Sequence, residues 1–137
     1  MRLLNIDEVS TNWHLISYGA SKTCGTDKVK DYLLGLAKNL MAAKSQCWFL
    51  DEDGEVKLMI ITRIIDDNNI KKMVITNLFG FKTTRPEEQG LFMDEIYKEA
   101  EKARVDEIVG YMTDERVIAL AERHGFSKKY TIVSRKV

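Results

Sequence analysis

The hydrophobic positions of this chain change period several times, and in a definite order. Residues 2 to 6 read as a short opening strand. From Ser10 to Gly19 the pattern is weakly helical, with Trp13, Leu15 and Ile16 on its apolar side, and Gly19 and Gly25 then bracket a loop containing Ser and Thr. Thr26 is placed to cap a second helix through its hydroxyl. In that helix Val29, Tyr32, Leu33, Leu36, Ala37, Leu40 and Met41 recur at spacings of three and four, while Lys28, Lys30, Asp31 and Lys38 face away. A stripe of this width packs on a flat surface.

Strand patterns follow. Cys47 to Leu50, the turn Asp51-Glu-Asp-Gly54 and the run Val56 to Ile65 predict a hairpin, with Gly54 suited to a left-handed turn position. A second turn cluster, Asp66 to Asn69, leads into Ile70 to Phe81, which is rich in Val, Ile, Phe and Thr. Three antiparallel strands in a meander result. Arg85-Pro86 then marks the entrance of a helix whose buried side is Leu91, Phe92, Ile96, Ala100 and Ala103. Glu107 to Met112 reads as a strand, and Thr113 is placed to cap a last helix carrying Val117, Leu120, Ala121 and His124 on one face. Gly125 ends that helix, and Phe126 to Val137 reads as a closing strand. No repeat, low-complexity run or linker interrupts the order, so residues 1–137 are expected to form one domain.

Composition narrows the partners. With 21 Lys+Arg against 21 Asp+Glu, the chain has no net field to draw in nucleic acid or an anionic membrane surface. Lys128, Lys129, Arg135 and Lys136 form the one local basic cluster, read as a solvated strand edge. Apolar runs such as Leu58 to Ile61 are too short to span a bilayer, and the first residues lack the apolar centre of a signal peptide, so a cytoplasmic protein is expected. Cys24 and Cys47 stand far apart without metal spacing and are read as free thiols. His14 has no Asp or Glu at ligand spacing, and Asp51 to Gly54 lacks the further ligands of a calcium loop, so no metal is expected.

The stretch Asp114-Glu-Arg-Val-Ile-Ala-Leu-Ala-Glu-Arg-His-Gly-Phe126 resembles a helix near the end of GNAT-family N-acetyltransferases, and Leu91 to Val109 resembles the family's third helix and fifth strand. The order of elements is similar to that family over essentially the whole chain. The resemblance implies an α/β (α+β) fold, a mixed and mostly antiparallel sheet of about six strands flanked by four helices. It also implies acetyl-CoA as cofactor, with backbone groups around Phe79, Gly80 and Phe81 pairing the pantetheine and Arg85, Gln89 and Gly90 meeting the pyrophosphate at a helix start.

Several residues depart from the family pattern. Ala121 stands where the family has the Tyr that protonates the leaving thiolate, and Asp114 stands for its Asn. In the pyrophosphate turn, Glu88 replaces the first Gly; a register shifted by one instead puts Glu87 and Gln89 at the small-residue sites, and Pro86 removes an N–H donor. A carboxylate beside a phosphate costs about 1 to 3 kcal/mol when partly exposed, so weak acetyl-CoA binding is expected; the competing account is that Glu87 and Glu88 favour the helix start through its dipole. Tyr111 is the remaining candidate for a catalytic acid, with Tyr130 behind it, and His124 is read as a helix-end cation.

Gln46-Cys-Trp-Phe49 is similar to a strand in the small acetyltransferase-like morphogenesis proteins of T7-like bacteriophages. Two functions follow from these resemblances. One is a GNAT-like module, phage-encoded, that binds protein or serves virion assembly without catalysis, using exposed Phe79, Phe81 and Phe92 near the cleft. The other is an acetyl-CoA-dependent N-acetyltransferase of relaxed motif.

Overall fold

The computed structural model describes residues 1–137. Five strands form one sheet in the order β1-β2-β3-β4-β5: β1 (Arg2–Leu3), β2 (Ser45–Glu52), β3 (Glu55–Asp67), β4 (Ile70–Gly80) and β5 (Glu107–Gly110). β1 to β4 are antiparallel neighbours, and β5 runs parallel to β4. Five helices accompany them: α1 (Ile6–Thr11), α2 (Trp13–Thr23), α3 (Val29–Met41), α4 (Pro86–Lys102) and α5 (Glu115–Arg123).

The meander forms as its turn residues dictate. Asp53 and Gly54, and then Asn68 and Asn69, all take positive φ, which tight hairpin turns require and which Asn, Asp and Gly tolerate best. Alternation then sorts the side chains to two faces. Cys47, Phe49, Met59 and Ile61 pack with Val9, Ile16, Ala20, Leu36 and Leu40 under α1, α2 and α3. Trp48, Leu58, Ile60, Met73 and Ile75 meet Phe92, Ile96 and Ala100 of α4 on the opposite face. The sheet is therefore the middle of three layers, buried on both sides.

Four sequence expectations change. The opening strand stops at Leu3, because Asn5 caps α1: its side chain accepts from the Glu8 N–H at 2.8 Å while Glu8 Oε1 accepts from the Asn5 N–H at 3.2 Å. The weak first helix becomes two, divided at Asn12, whose side-chain amide bonds the Glu8 carbonyl at 2.8 Å. Caps lie one or two residues later than expected: Lys28 is the N-cap of α3, with Thr26 Oγ1 accepting only from the Lys28 N–H, and Asp114 rather than Thr113 caps α5 by accepting from the Arg116 N–H at 2.9 Å. The expected closing strand is not formed: residues 126 to 137 pair with no strand of the sheet. Ionic contacts anchor that segment, Lys129 Nζ to Glu107 Oε2 at 2.6 Å and Lys136 Nζ to Asp27 Oδ2 at 3.9 Å. No helix is long and apolar enough to cross a membrane.

Candidate functional site

The candidate cleft comes from two irregularities in β4. The pairing register with β3 slips between Ile61 and Thr62, so that Asn77 opposes Ile61 and Ile75 opposes Thr62, leaving Thr76 as the extra residue of a bulge. Met73 and Ile75 point to α4 before the bulge; Asn77 and Phe79 point to α2 and α3 after it. Parallel pairing with β5 covers Lys72 to Ile75 against Glu107 to Gly110 and ends there. Beyond Ile75, β4 continues to Gly80 with β3 on one edge and no strand on the other. Backbone N–H and C=O groups along that edge are open to a ligand that can act as a strand.

One end of the cleft is the start of α4. Arg85 is its N-cap, Pro86 its first residue, and no side chain caps it, so the N–H groups of Glu87 and Glu88 remain available. Gln89 Nε2 donates to Thr84 Oγ1 at 3.0 Å, which closes the turn onto its own helix. Glu88 is turned toward the sheet and is not a bare charge. Its carboxylate accepts from Arg85 Nε at 2.7 Å and from Lys57 Nζ at 3.1 and 3.3 Å, with its side chain 11% exposed. Lys57 also pairs with Glu52, so four charges alternate from the β2–β3 hairpin to α4. Hydrogen bonds from Arg85 and then Lys57 hold the Glu88 carboxyl below its ordinary pKa; Glu52 first, then Glu88, pushes Lys57 up. Gly90 gives room for α5: a Cβ there would lie 3.2 Å from His124 Cε1. A groove of about 340 Å³ between these helices is lined by Gln89, Arg116 and Arg123 among others.

A buried polar network occupies the other side of β4. Tyr32 OH donates to Asn77 Oδ1 at 2.9 Å, and Asn77 Nδ2 donates to Thr23 Oγ1 at 2.9 Å. Thr76 Oγ1 lies 2.9 Å from Asn77 Oδ1. These bonds tie α2 and α3 to the bulge. Burial pushes the Tyr32 phenol above its ordinary value despite the Asn77 bond, so it stays protonated and acts as a donor.

The sequence-predicted residues divide accordingly. Phe79 and Phe81 pack edge to face with centroids 5.0 Å apart, and Gly80 lies between them opposite Leu58. Arg85 is the N-cap of α4, and Gln89 and Gly90 are its fourth and fifth residues. Tyr111 follows the last residue of β5 and is 68% exposed, with no hydrogen bond to another side chain. Ala121 lies on the buried face of α5, while Tyr130 sits on the exposed C-terminal segment. Phe92 is 3% exposed in the core between α4 and the sheet, as its place on the buried side of the helix implied, so it offers no surface contact; Leu91, expected on the same side, is instead 66% exposed. Sequence reading missed Thr23, Tyr32, Lys57 and Asn77. Asn77 carried a signal, being a lone amide in the apolar run Met73 to Phe79; Tyr32 was hidden within an apolar helical stripe.

No protein-family model and no curated protein matches the sequence. Solved structures do match. A GCN5-related N-acetyltransferase from Ralstonia eutropha superposes with a TM-score of 0.78 at 21% identity, covering 99% of this chain and 96% of that one. A predicted acetyltransferase from Clostridium acetobutylicum, solved with acetyl-CoA, gives 0.73 at 16% identity, covering 98% and 94%. An aminoglycoside acetyltransferase from an uncultured soil sample gives 0.74 at 8% identity, covering 99% and 93%. The chain therefore has the GNAT fold, with one strand fewer than its sequence pattern implied.

Proposed function

We propose that the protein is an acetyl-CoA-dependent N-acetyltransferase, and the observation that carries this is the open edge of β4 beyond Ile75. The residues present suit the cofactor. Backbone groups at 76 to 80 offer a strand edge to the pantetheine amides, and the uncapped N–H groups of Glu87 and Glu88 face a pyrophosphate position with Arg85 beside them. Pairing of Glu88 with Lys57 and Arg85 offsets the repulsion that an acidic turn otherwise brings. Acetyl-CoA supplies an acetyl group on a thioester; net transfer to an amine moves the acetyl to nitrogen and leaves the amine's proton on the thiol. Tyr32 and Asn77 hold the acceptor side of the bulge rigid, and Tyr111 is the phenol free to exchange a proton at the end of β5. A cytoplasmic setting agrees with free Cys24 and Cys47, whose buried member Cys47 has its thiol pushed up to about 12 by burial.

Calorimetric titration with acetyl-CoA, followed by a thiol-release assay over a panel of amines, tests the reading. Micromolar binding with amine-dependent thiol release is expected; no binding at millimolar cofactor overturns it.

A second reading has its own support. Tyr130, Ile132 and Val133 are exposed on a segment outside the sheet, while the outer edge of β5 is unpaired. That combination suits pairing with another protein's strand, in a non-catalytic module such as one serving virion assembly, for which the Gln46 to Phe49 string is the further support. A stable stoichiometric partner lost on deleting residues 127 to 137, without any turnover, favours it.

A further inference from the structure

The α2-facing side of β4 carries an aromatic wall. Phe79 packs edge to face on Tyr18, with centroids 5.7 Å apart at 82°, and on Phe81, 5.0 Å apart at 79°. Gly19 permits this closeness, since a Cβ there would lie 3.1 Å from Phe79 Cδ1. The wall opens to solvent at Tyr18, which is 54% exposed, while Phe79 and Phe81 are half-buried against the core. Lys22 Nζ stands 5.5 Å from the Tyr18 ring centroid, placing a positive charge at the rim. Asn77, two residues before Phe79 on the same side, links the wall to Tyr32 and to the bulge where the open edge begins.

These side chains have a definite chemical preference. An exposed Tyr18 ring backed by half-buried Phe79 and Phe81, all set for edge-to-face contact, favours another aromatic ring. None of Tyr18, Lys22, Tyr32, Asn77, Phe79 and Phe81 is a carboxylate, and the carboxylates beside the Phe81 end, Glu52, Glu55 and Glu88, are already paired with Lys57, Lys82 and Arg85, so the wall's own side chains favour no polycation and Lys22 repels one. Lys22 instead offers a partner to an acid group, and its field favours the neutral, nucleophilic form of a nearby amine.

We propose that this wall is the acceptor subsite and takes an aromatic amino acid with a free amine: its ring on Tyr18, Phe79 and Phe81, its carboxylate at Lys22, its nitrogen toward the open edge of β4. The inference rests on the acetyltransferase reading for its chemistry. The amine nitrogen forms a bond to the acetyl carbonyl carbon, the carbon–sulfur bond breaks with its electron pair kept by sulfur, and the proton lost from nitrogen ends on that sulfur.

Binding is measured on the full chain without cofactor, by NMR shift titration with L-phenylalanine, phenethylamine, which lacks the carboxylate, and spermine. Thiol release with acetyl-CoA and the same amines follows. Phenylalanine is expected to bind about tenfold tighter than phenethylamine, with spermine leaving the aromatic resonances unmoved. Lys22→Ala, an exposed position, should erase the preference for the carboxylate, and Tyr18→Ala should weaken both aromatic ligands about tenfold. Spermine binding as tightly as phenylalanine, phenylalanine binding that neither substitution alters, or binding of none of the three by a chain that binds acetyl-CoA overturns the subsite. Phenylalanine binding that obeys both substitutions in a chain that fails to bind acetyl-CoA supports the subsite and overturns the donor reading instead.

Discussion

Lys57 Nζ lies 3.1 Å from Glu88 Oε2, joining the start of β3, beside the β2–β3 turn, to the first turn of α4. Thirty-one residues separate the two in sequence, and their pairing changes what the acidic turn means. Glu88 is held against Lys57 and Arg85, where it acts as an internal anion for the two cations nearest the open N–H groups of α4.

Glu88→Gln should therefore free Arg85 and Lys57 for a bound anion. Acetyl-CoA affinity, read by calorimetry, is expected to rise about tenfold, with a steeper salt dependence than in the unaltered chain. Unchanged affinity would place the pyrophosphate away from this turn.

Phe92→Ala removes a large side chain from the core between α4 and the sheet. Urea unfolding should show a loss of about 3 to 5 kcal/mol. A residue that served only as a surface contact would leave stability within about 0.5 kcal/mol.

The Tyr32–Asn77–Thr23 network gives a graded series. Tyr32→Phe leaves one acceptor on Asn77 less satisfied and should cost about 0.5 to 1.5 kcal/mol. Asn77→Ala strips partners from Tyr32 and Thr23 together and should cost more, about 1 to 3 kcal/mol. Equal small losses in both variants would show that the network carries no weight.

Acid should release the C-terminal segment. Lys129 first, with Lys72 assisting, holds the Glu107 carboxyl below its ordinary value of 4.5, against burial and, more weakly, Asp67, which oppose this. A depressed folded pKa contributes stability that is full above the unfolded value and is lost as pH falls through the folded one. The steady-state NMR order of residues 127 to 137 should accordingly fall as pH drops below 4.5, and Lys129→Ala should produce the same loss of order at neutral pH.

Much of the fold was legible in the sequence because its signals are local. The period of three and four in Val29 to Met41, the positive-φ residues Gly54, Asn68 and Asn69, and Gly125 at the end of α5 each act within a few residues of themselves. The adjacency of β4 and β5 followed from the strand, helix, strand order of the second half. The closing strand did not follow: Tyr130 to Val133 has strand-like composition, but a strand needs a partner ladder as well as propensity.

The candidate site was legible by halves. Phe79, Gly80, Phe81, Arg85, Gln89 and Gly90 lie in two short stretches, and sequence placed them together at one edge and one helix start. Whether Glu88 repels or is neutralised depends on Lys57, a residue on another strand; whether Phe92 faces solvent depends on how α4 rolls onto the sheet. Sequence by itself determined most of the elements, their order and the class of fold, since these rest on periodicity and turns, but not the closing strand or the division of the first helix. Tertiary structure alone decided the bulge at Thr76, the direction of Asn77, the pairing of Glu88 and the aromatic wall, because each is a contact between segments far apart in the chain whose register no local pattern encodes.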